Sequence, residues 1–507
     1  TNKINMKQSI FAAFIDFQKA FDWVNRDFLL YKLISKFDIN GKMYFAIKSL
    51  LINSKSCIKI NNTFTKYFDI TCGVRQGDCI SSTLFSFFIN DLAIGIKDMN
   101  YGVNIGDFKI SILLYADDII LLSESEVGLQ HMLDYLYEWC NMWKLDINEA
   151  KSNIVHFRNS ACPKTQFLFK CGEKPLNIVS EYRYLGLYLD EFLNFQNSAT
   201  HLAAAGTRAL GAIRHKIYNV KNLSFSVYSK LYQTGVTPIL DYCSAVWGFK
   251  IQKCIQDVQN RAIRYFLGVH KFCPLAAMEG DMGWTSCLVR AQLNMIILWN
   301  RLVNMSNDRL PKKILWYNIN NRNLCNNWFT ELNKLKRIPL INDNLPLLDI
   351  EQCKIDLTNN QIASWNQSRH QKIKLRYYNL FKSDLKPEPY VLCNSNKSQR
   401  STYAQFRSGI LPLAIETGRF SNVNLNNRTC KICNSQLIED EFHFLCECPK
   451  YETERKKLYT KITAIYPEFK DIDDIDKFMF LNDDDCQKYT AIFINNAFYI
   501  RKKCVYQ

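Results

Sequence analysis

The stretch ISILLYADDIILLS, residues 110 to 123, constrains the chain most. Two adjacent aspartates, Asp117 and Asp118, stand between two apolar runs. ILLY before them and IILL after them have the length and β-branched content of buried strands. The pattern predicts a tight hairpin with both carboxylates at its turn. Neighbouring like charges beside a dry core are costly unless a cation compensates them. The stretch therefore asks for a divalent metal and for at least one further carboxylate from elsewhere. The plainer alternative is a polar turn on an ordinary hairpin, and the rest of the sequence decides between the two.

The chain has 507 residues, enough for roughly two to four domains. A hydrophobic fraction of 48% permits a large core, and a net charge of +16 favours a polyanionic partner, nucleic acid foremost. Nineteen cysteines scattered through so long a chain do not resemble a small disulfide scaffold and suit a reducing compartment. No apolar run reaches transmembrane length, the longest being broken by Asp117 and Asp118, so no membrane partner is expected. The start, TNKINMKQSIFAAF, lacks a signal-peptide pattern and an initiator Met and runs straight into a strand. The expectation is a fragment whose upstream part is missing.

Along the chain, IFAAFI is strand-like and ends at Asp16, after which Phe17, Ala20, Phe21 and Val24 mark one face of a short helix. Residues 26 to 53 form an amphipathic helical region, and residues 56 to 71 alternate as strands around a turn at Asn61 and Asn62. In TCGVRQGDCISSTLFSFFINDLAIGI a glycine-containing loop with Arg75, Gln76 and Asp78 opens a helix in which Leu84, Phe88 and Leu92 recur at four-residue spacing. Such a loop can approach a phosphate or nucleotide closely. After the hairpin, residues 125 to 151 hold a long amphipathic helix ending near Lys144. NEAKSNIVHF turns into a strand, and EYRYLGLYLD is a short strand pair. Residues 196 to 300 read as helices, and 300 to 425 as a more polar, Asn-rich helical region.

Taken in order, IDFQKAFD, GVRQGD, YADD, INEAKSN and YRYLG resemble the palm motifs of reverse transcriptases, conventionally lettered A to E. The nearest likeness is to non-LTR, LINE-type retrotransposon enzymes of the jockey-like kind. It continues past the palm in VQNRAIRYFLG, LDYCSAVWG and the terminal HFLCECPKY. The resemblance implies an α+β fold: a right-hand polymerase palm, an antiparallel sheet with helices, at 1–190. A helical thumb-like region at 191–300, a helical connecting region at 301–425, a CCHC zinc knuckle at 426–455 and a helical tail at 456–507 follow. It implies an RNA-directed DNA polymerase that copies element RNA from a nicked-DNA 3′ primer with dNTPs, housed in a ribonucleoprotein particle of nucleus and cytoplasm. Oligomeric state is not legible.

The chemistry accounts for the residue types. Nucleotidyl transfer uses two metals about 3.5 to 4 Å apart, and carboxylate oxygens suit Mg²⁺, with Mn²⁺ as a substitute. By resemblance Asp16, Asp117 and Asp118 are the catalytic, metal-binding carboxylates. Asp22 occupies a common family position but reads as structural. Phe21 falls at the steric gate that selects deoxynucleotides, the alternative being a plain core residue. Gln76 and Gly77 resemble the contacts to incoming nucleotide and template, with Arg75 either meeting phosphates or facing solvent. Lys151 matches the lysine assigned to protonating pyrophosphate, the alternative being a solvated lysine. Tyr184, Leu185 and Gly186 resemble the primer grip.

A second chemical site is CKICNSQLIEDEFHFLCEC. Cys430 and Cys433 give C-x₂-C, followed by His443 and Cys448, a ligand set for tetrahedral structural Zn²⁺. Cys446 is the rival fourth ligand; Cys448 is preferred because Cys-Pro-x-Tyr closes the family's knuckle. Glu439, Asp440 and Glu441 are expected to make this face acidic, which argues against phosphate contact by the loop. The pattern departs from the family in lacking fingers motifs before Asp16 and a recognisable nuclease after the knuckle. Two rival readings follow: a truncated, inactive copy that only binds nucleic acid, and an RNA-dependent RNA polymerase, against which Phe21 argues.

Overall fold

The computed structural model describes residues 1–220, 222–250, 252–324, 327–336, 338, 345–393 and 396–505. The chain divides into two compact units, one of residues 1–198 with 305–337 and one of 199–304 with 338–507.

The first unit is built on a five-stranded sheet. Its strands are β1 (Ile10–Ile15), β2 (Ile112–Tyr115), β3 (Asp118–Ser123), β4 (Asn153–Phe157) and β5 (Asn177–Val179), in the order β5-β4-β1-β3-β2. β1 lies at the centre, antiparallel to both neighbours, with Ile15 opposite Ile119 and Phe14 opposite Asn153. Both of its faces are covered, which is why IFAAFI reads as an unbroken apolar run. Ala13 and Ile15 join the main core with the helices α1 (Arg26–Phe37), α2 (Ser81–Asp98) and α3 (Glu126–Trp143). Ala12 and Phe14 join a second core with Ile120, Val155 and Phe157.

The helices follow from their patterns. In α2, Leu84, Phe85, Phe88, Ile89, Leu92 and Ile96 are buried along one stripe. In α3, Ser125 caps the start by accepting from the Gly128 amide, and Lys144 ends it in the left-handed conformation at φ 57°. A buried lysine, Lys32 of α1, donates to the Phe88 carbonyl at 2.7 Å and to Asp91 at 2.8 Å, with the Trp143 ring 3.6 Å from its ammonium.

Three local expectations need correction. ILLY is not a buried strand throughout: β2 is the sheet edge, and Leu114 and Tyr115 are exposed. The helix marked from Phe17 shrinks to Ala20–Trp23, because Phe17 instead bridges to Ile147. The helical region 26–53 breaks at Asp38, which takes φ 50° between α1 and the helix Gly41–Leu51.

The second unit is helical. It includes α4 (Leu275–Met282), α5 (Lys397–Arg407) and α6 (Gln487–Val505). Arg407 is fully enclosed, 2.7 Å from Glu388 and 3.5 Å from Asp281. Lys382 also pairs with Glu388, Tyr390 donates to Asp281 at 2.6 Å, and Gln487 donates to Glu388 at 2.6 Å. A buried ion network of this kind is satisfied only when every partner is present.

Candidate active site and metal centre

Asp16 follows directly on β1, and Asp118 opens β3. Since Ile15 faces Ile119 across the ladder, the antiparallel register carries Asp16 and Asp118 to the same end of adjacent strands. Ala116, at φ 53°, turns the β2–β3 hairpin so that Asp117 sits at its tip. Asp16, Asp117 and Asp118 are all half-exposed. Burial pushes the Asp118 carboxyl up from its ordinary range, and the charges of Asp117 and then Asp16 add to it. The three like charges therefore converge, and the fold supplies little to neutralise them.

What the fold does supply comes from the turn before β4. Asn148 donates to the Asp16 carboxylate at 3.1 Å, and its amide donates to the Asp16 carbonyl at 2.8 Å. The Asp16 amide donates to the Ser152 hydroxyl at 3.1 Å. The Lys151 ammonium, on an exposed side chain, lies 3.7 Å from the same carboxylate. This wrap fixes the backbone of Asp16, and among the described residues the one cation paired with its carboxylate is the solvated Lys151.

The glycine-containing loop docks on the segment after Asp16. Gly73 has φ 80°, and a Cβ there would meet the Asp22 carbonyl oxygen at 2.6 Å. The Gly73 amide donates to the Val24 carbonyl at 2.8 Å and the Val74 amide to the Phe21 carbonyl at 2.8 Å. Buried Arg26 donates to the carbonyls of Gly73, Leu51 and Ile70. Gln76 reaches Asp22 at 3.3 Å, which gives Asp22 a structural contact. Arg75, Gln76 and Gly77 stay exposed, and Gly77 takes φ 85° with open space where a Cβ would stand. Phe21 is half-buried and stacks on Phe85 with centroids 4.9 Å apart.

Strands β6 (Glu181–Tyr184) and β7 (Leu187–Asp190) form a hairpin whose two turn residues, Leu185 and Gly186, both have positive φ, at 45° and 85°. Tyr182 stacks on Phe14 at 4.4 Å, and Tyr184 lies 5.7 Å from the same ring. Burial raises both phenols, with the charge of Asp118 contributing to each and that of Asp16 to Tyr182. Sequence reasoning named Tyr184 and missed Tyr182, although Tyr-x-Tyr in a strand places both on one face. It also missed Asn148, Ser152 and Arg26.

In the second unit Cys430, Cys433, His443 and Cys448 come together, with their ligand atoms all within 4.8 Å of one another. Asn434 and Gln436 take left-handed conformations, and the Cys430 amide donates to the Leu437 carbonyl at 2.8 Å, closing the C-x₂-C turn. His443 turns Nε2 toward Cys433 at 3.5 Å, and its Nδ1 meets Glu447 at 3.0 Å. A carboxylate behind the far ring nitrogen is the usual support of a metal-bound imidazole. Hydrogen bonding from Cys448 and then His443 holds the Cys430 thiol below its ordinary range, against the effect of burial. Cys446 lies outside the cluster, its thiol pushed up to about 12 by burial. Three thiols and one imidazole with this spacing fit tetrahedral zinc.

The expected acidic face does not form. Glu439 accepts both arms of Arg501, at 2.7 and 2.8 Å, Glu441 pairs with Arg376, and Asp440 accepts from Tyr377 at 2.7 Å. Glu439 and Glu441 point inward because cations from distant segments meet them there.

Residues 2–189 match the family described as reverse transcriptase (RNA-dependent DNA polymerase). Among curated relatives, the RNA-directed DNA polymerase from mobile element jockey of Drosophila funebris is 29% identical over 290 residues, covering 55% of this chain and 31% of that protein. The probable RNA-directed DNA polymerase from transposon BS of Drosophila melanogaster is 29% identical over 269 residues, 50% of this chain and 28% of that protein. The Pol polyprotein of the type-1 retrotransposable element R2 of Nasonia vitripennis is 33% identical over 193 residues, 36% of this chain and 19% of that protein. The chain thus spans less than a third of the length of these relatives. The matched segment holds β1, the glycine loop, the aspartate hairpin and the β6–β7 hairpin in one unit, and on these grounds residues 2–189 are a reverse transcriptase domain, similar in sequence to the polymerases of non-LTR retrotransposons.

Proposed function

We propose that this chain is the polymerase portion of a non-LTR retrotransposon enzyme, copying element RNA into DNA from the 3′ end of a nicked target strand. The observation that carries the reading is the convergence of Asp16, Asp117 and Asp118 at one end of paired strands, with no buried cation among the described residues to neutralise them. A hard divalent ion suits such a donor set. Two such ions, Mg²⁺ or Mn²⁺, would activate the primer hydroxyl and bind the triphosphate when held by these three residues.

The remaining roles belong to the chain's own groups. Asn148 and Ser152 fix Asp16 so that its carboxylate faces the hairpin. Lys151, exposed and close to Asp16, is suited to give a proton to departing pyrophosphate. Phe21 crowds the ribose of the incoming nucleotide, while Gln76 and Gly77, with Arg75, contact that nucleotide and the template. The Leu185–Gly186 turn supports the primer end. Residues 1–190, which hold the sheet, are then the palm, residues 191–300 the thumb-like region, 301–425 a connecting region whose segment 305–337 belongs to the palm's unit, and 426–455 a knuckle ordered by structural zinc ahead of the tail.

The test is primer extension on an RNA template with Mg²⁺ and deoxynucleotides, by this chain alone and grafted over the matching segment of a jockey element polymerase. Incorporation is expected, with deoxynucleotides preferred over ribonucleotides. Synthesis that survives Asp117→Ala together with Asp118→Ala would overturn the assignment of the site.

A further inference from the structure

The second unit contains a cleft of about 810 Å³, a volume in the range of small-ligand sites. Phe272, Lys372, Ile373, Lys374, Arg419 and Arg428 form its walls, and it reaches Ile438 and Asp440 of the zinc knuckle. Two features set it apart from ordinary surface.

The first is apolar. Phe272 is 61% exposed and Ile373 is 84% exposed. Single exposed apolar residues need no explanation, but here a ring and a branched side chain border one cleft. The second is charge. Lys372, Lys374, Arg376, Arg419 and Arg428 line the cleft against one lining carboxylate, Asp440. Lys374 and Arg419 share Glu416, and Arg376 pairs with Glu441. Five cations against three carboxylates leave a positive surplus. Arg428 donates to the backbone carbonyls of Val423 and Ile415, each at 3.0 Å, and has no carboxylate partner among the described residues, so its charge is kept in place without a counter-charge there. Lys372 is exposed.

An exposed ring flanked by fixed and mobile cations is how proteins bind unpaired nucleotides: the base stacks and the phosphates meet the charges. A duplex, whose bases are already stacked, has no use for the ring. We infer that this cleft binds a single-stranded nucleic-acid segment, with a base stacked on Phe272 and flanking phosphates met by Lys372 and Arg428. The inference rests on the polymerase reading only in taking nucleic acid as the partner of this chain.

The experiment is binding of the zinc-loaded full chain to labelled twelve-nucleotide single strands of RNA and of DNA and to the corresponding duplex, read by fluorescence anisotropy. Phe272 and Lys372 are at the surface, so their variants keep the fold. Single strands are expected to bind more tightly than duplex. Phe272→Ala is expected to weaken single-strand binding about tenfold. Lys372→Glu is expected to weaken it and to lower the slope of log affinity against log salt by about 0.7, whereas Lys503→Glu, the same charge change on α6, has less effect. Tighter binding of RNA or of DNA identifies which strand uses the cleft. Strands carrying 4-thiouracil or 4-thiothymine are expected to crosslink to peptides containing Phe272 or Lys372. Wild-type affinity in Phe272→Ala, equal binding of duplex, crosslinks elsewhere only, or displacement by a polyglutamate peptide but not by an unlabelled strand would each overturn the cleft. The readout needs no synthesis, so a chain that binds here without polymerising counts against the polymerase reading alone.

Discussion

Two sets of carboxylates in this chain share their chemistry and differ in their surroundings. Asp16, Asp117 and Asp118 in the first unit are half-exposed, repel one another, and have one solvated lysine at 3.7 Å. Asp281, Glu388, Glu439 and Glu441 in the second unit are only 2%, 5%, 1% and 3% exposed, and each meets an arginine. Burial alone would mark the second set as the perturbed, functional one. The counter-charge reverses that conclusion. Where the chain provides the cation the carboxylate holds the fold together; where the described residues do not, as at Asp16, Asp117 and Asp118, the proposed active site calls for a cation from outside.

The comparison breaks if the buried set can lose its cation cheaply. Arg407→Met leaves Asp281 and Glu388 enclosed with a deficit of charge, and should cost roughly 3–5 kcal/mol, seen as a large fall in the thermal transition of the second unit by calorimetry. Asp118→Asn should do the opposite. Burial and its neighbours disfavour the charged carboxylate, so a neutral amide should leave the transition of the first unit unchanged or raise it slightly. Equal shifts in the two variants would remove the distinction.

The cysteines sharpen the same contrast. Cys446 and Cys448 are both buried, yet only Cys448 joins the cluster. Cys448→Ser should lower bound zinc, measured by elemental analysis, and destabilise the knuckle, because ligand binding is here coupled to folding. Cys446→Ser should keep one zinc per chain and lose only a packing contact. Loss of zinc in Cys446→Ser would exchange the two assignments.

Much of this was legible in the sequence where the signal is local. The aspartate hairpin shows in strand-length apolar runs around a polar pair, and the knuckle in ligand types at fixed spacing. What sequence reasoning missed lies in contacts between distant positions. Asn148 and Ser152 reach Asp16 across 132 and 136 positions, and no periodicity marks such a pair. Glu439 and Glu441 looked like an acidic surface because Arg501 and Arg376, their partners, stand 62 and 65 positions away. Phe17 fitted a helical stripe, but pairing with Ile147 drew it toward the sheet, a tertiary contact overriding local preference.

Lys32 is the intermediate case and the finest test of the rule. Its side chain is wholly enclosed, but its partner Asp91 keeps 26% of its side chain exposed. Burial pushes the ammonium down to about 8, although Asp91 opposes the shift. Between pH 8 and the ordinary lysine range near 10.5 the unfolded chain therefore binds more protons than the fold, and stability attributable to this group rises with pH. Lys32→Met should remove that rise, which chemical denaturation at several pH values would reveal as a flatter profile than wild type. At neutral pH the change should stay below about 1 kcal/mol, because Asp91 can hydrate and still accepts from Trp139 at 3.1 Å. A loss as large as that of Arg407→Met would mean that enclosure of the cation alone sets the cost. A small loss with a flattened profile would mean that the cost is set by whether the carboxylate left behind can reach water, the same property that separates Asp118 from Glu388.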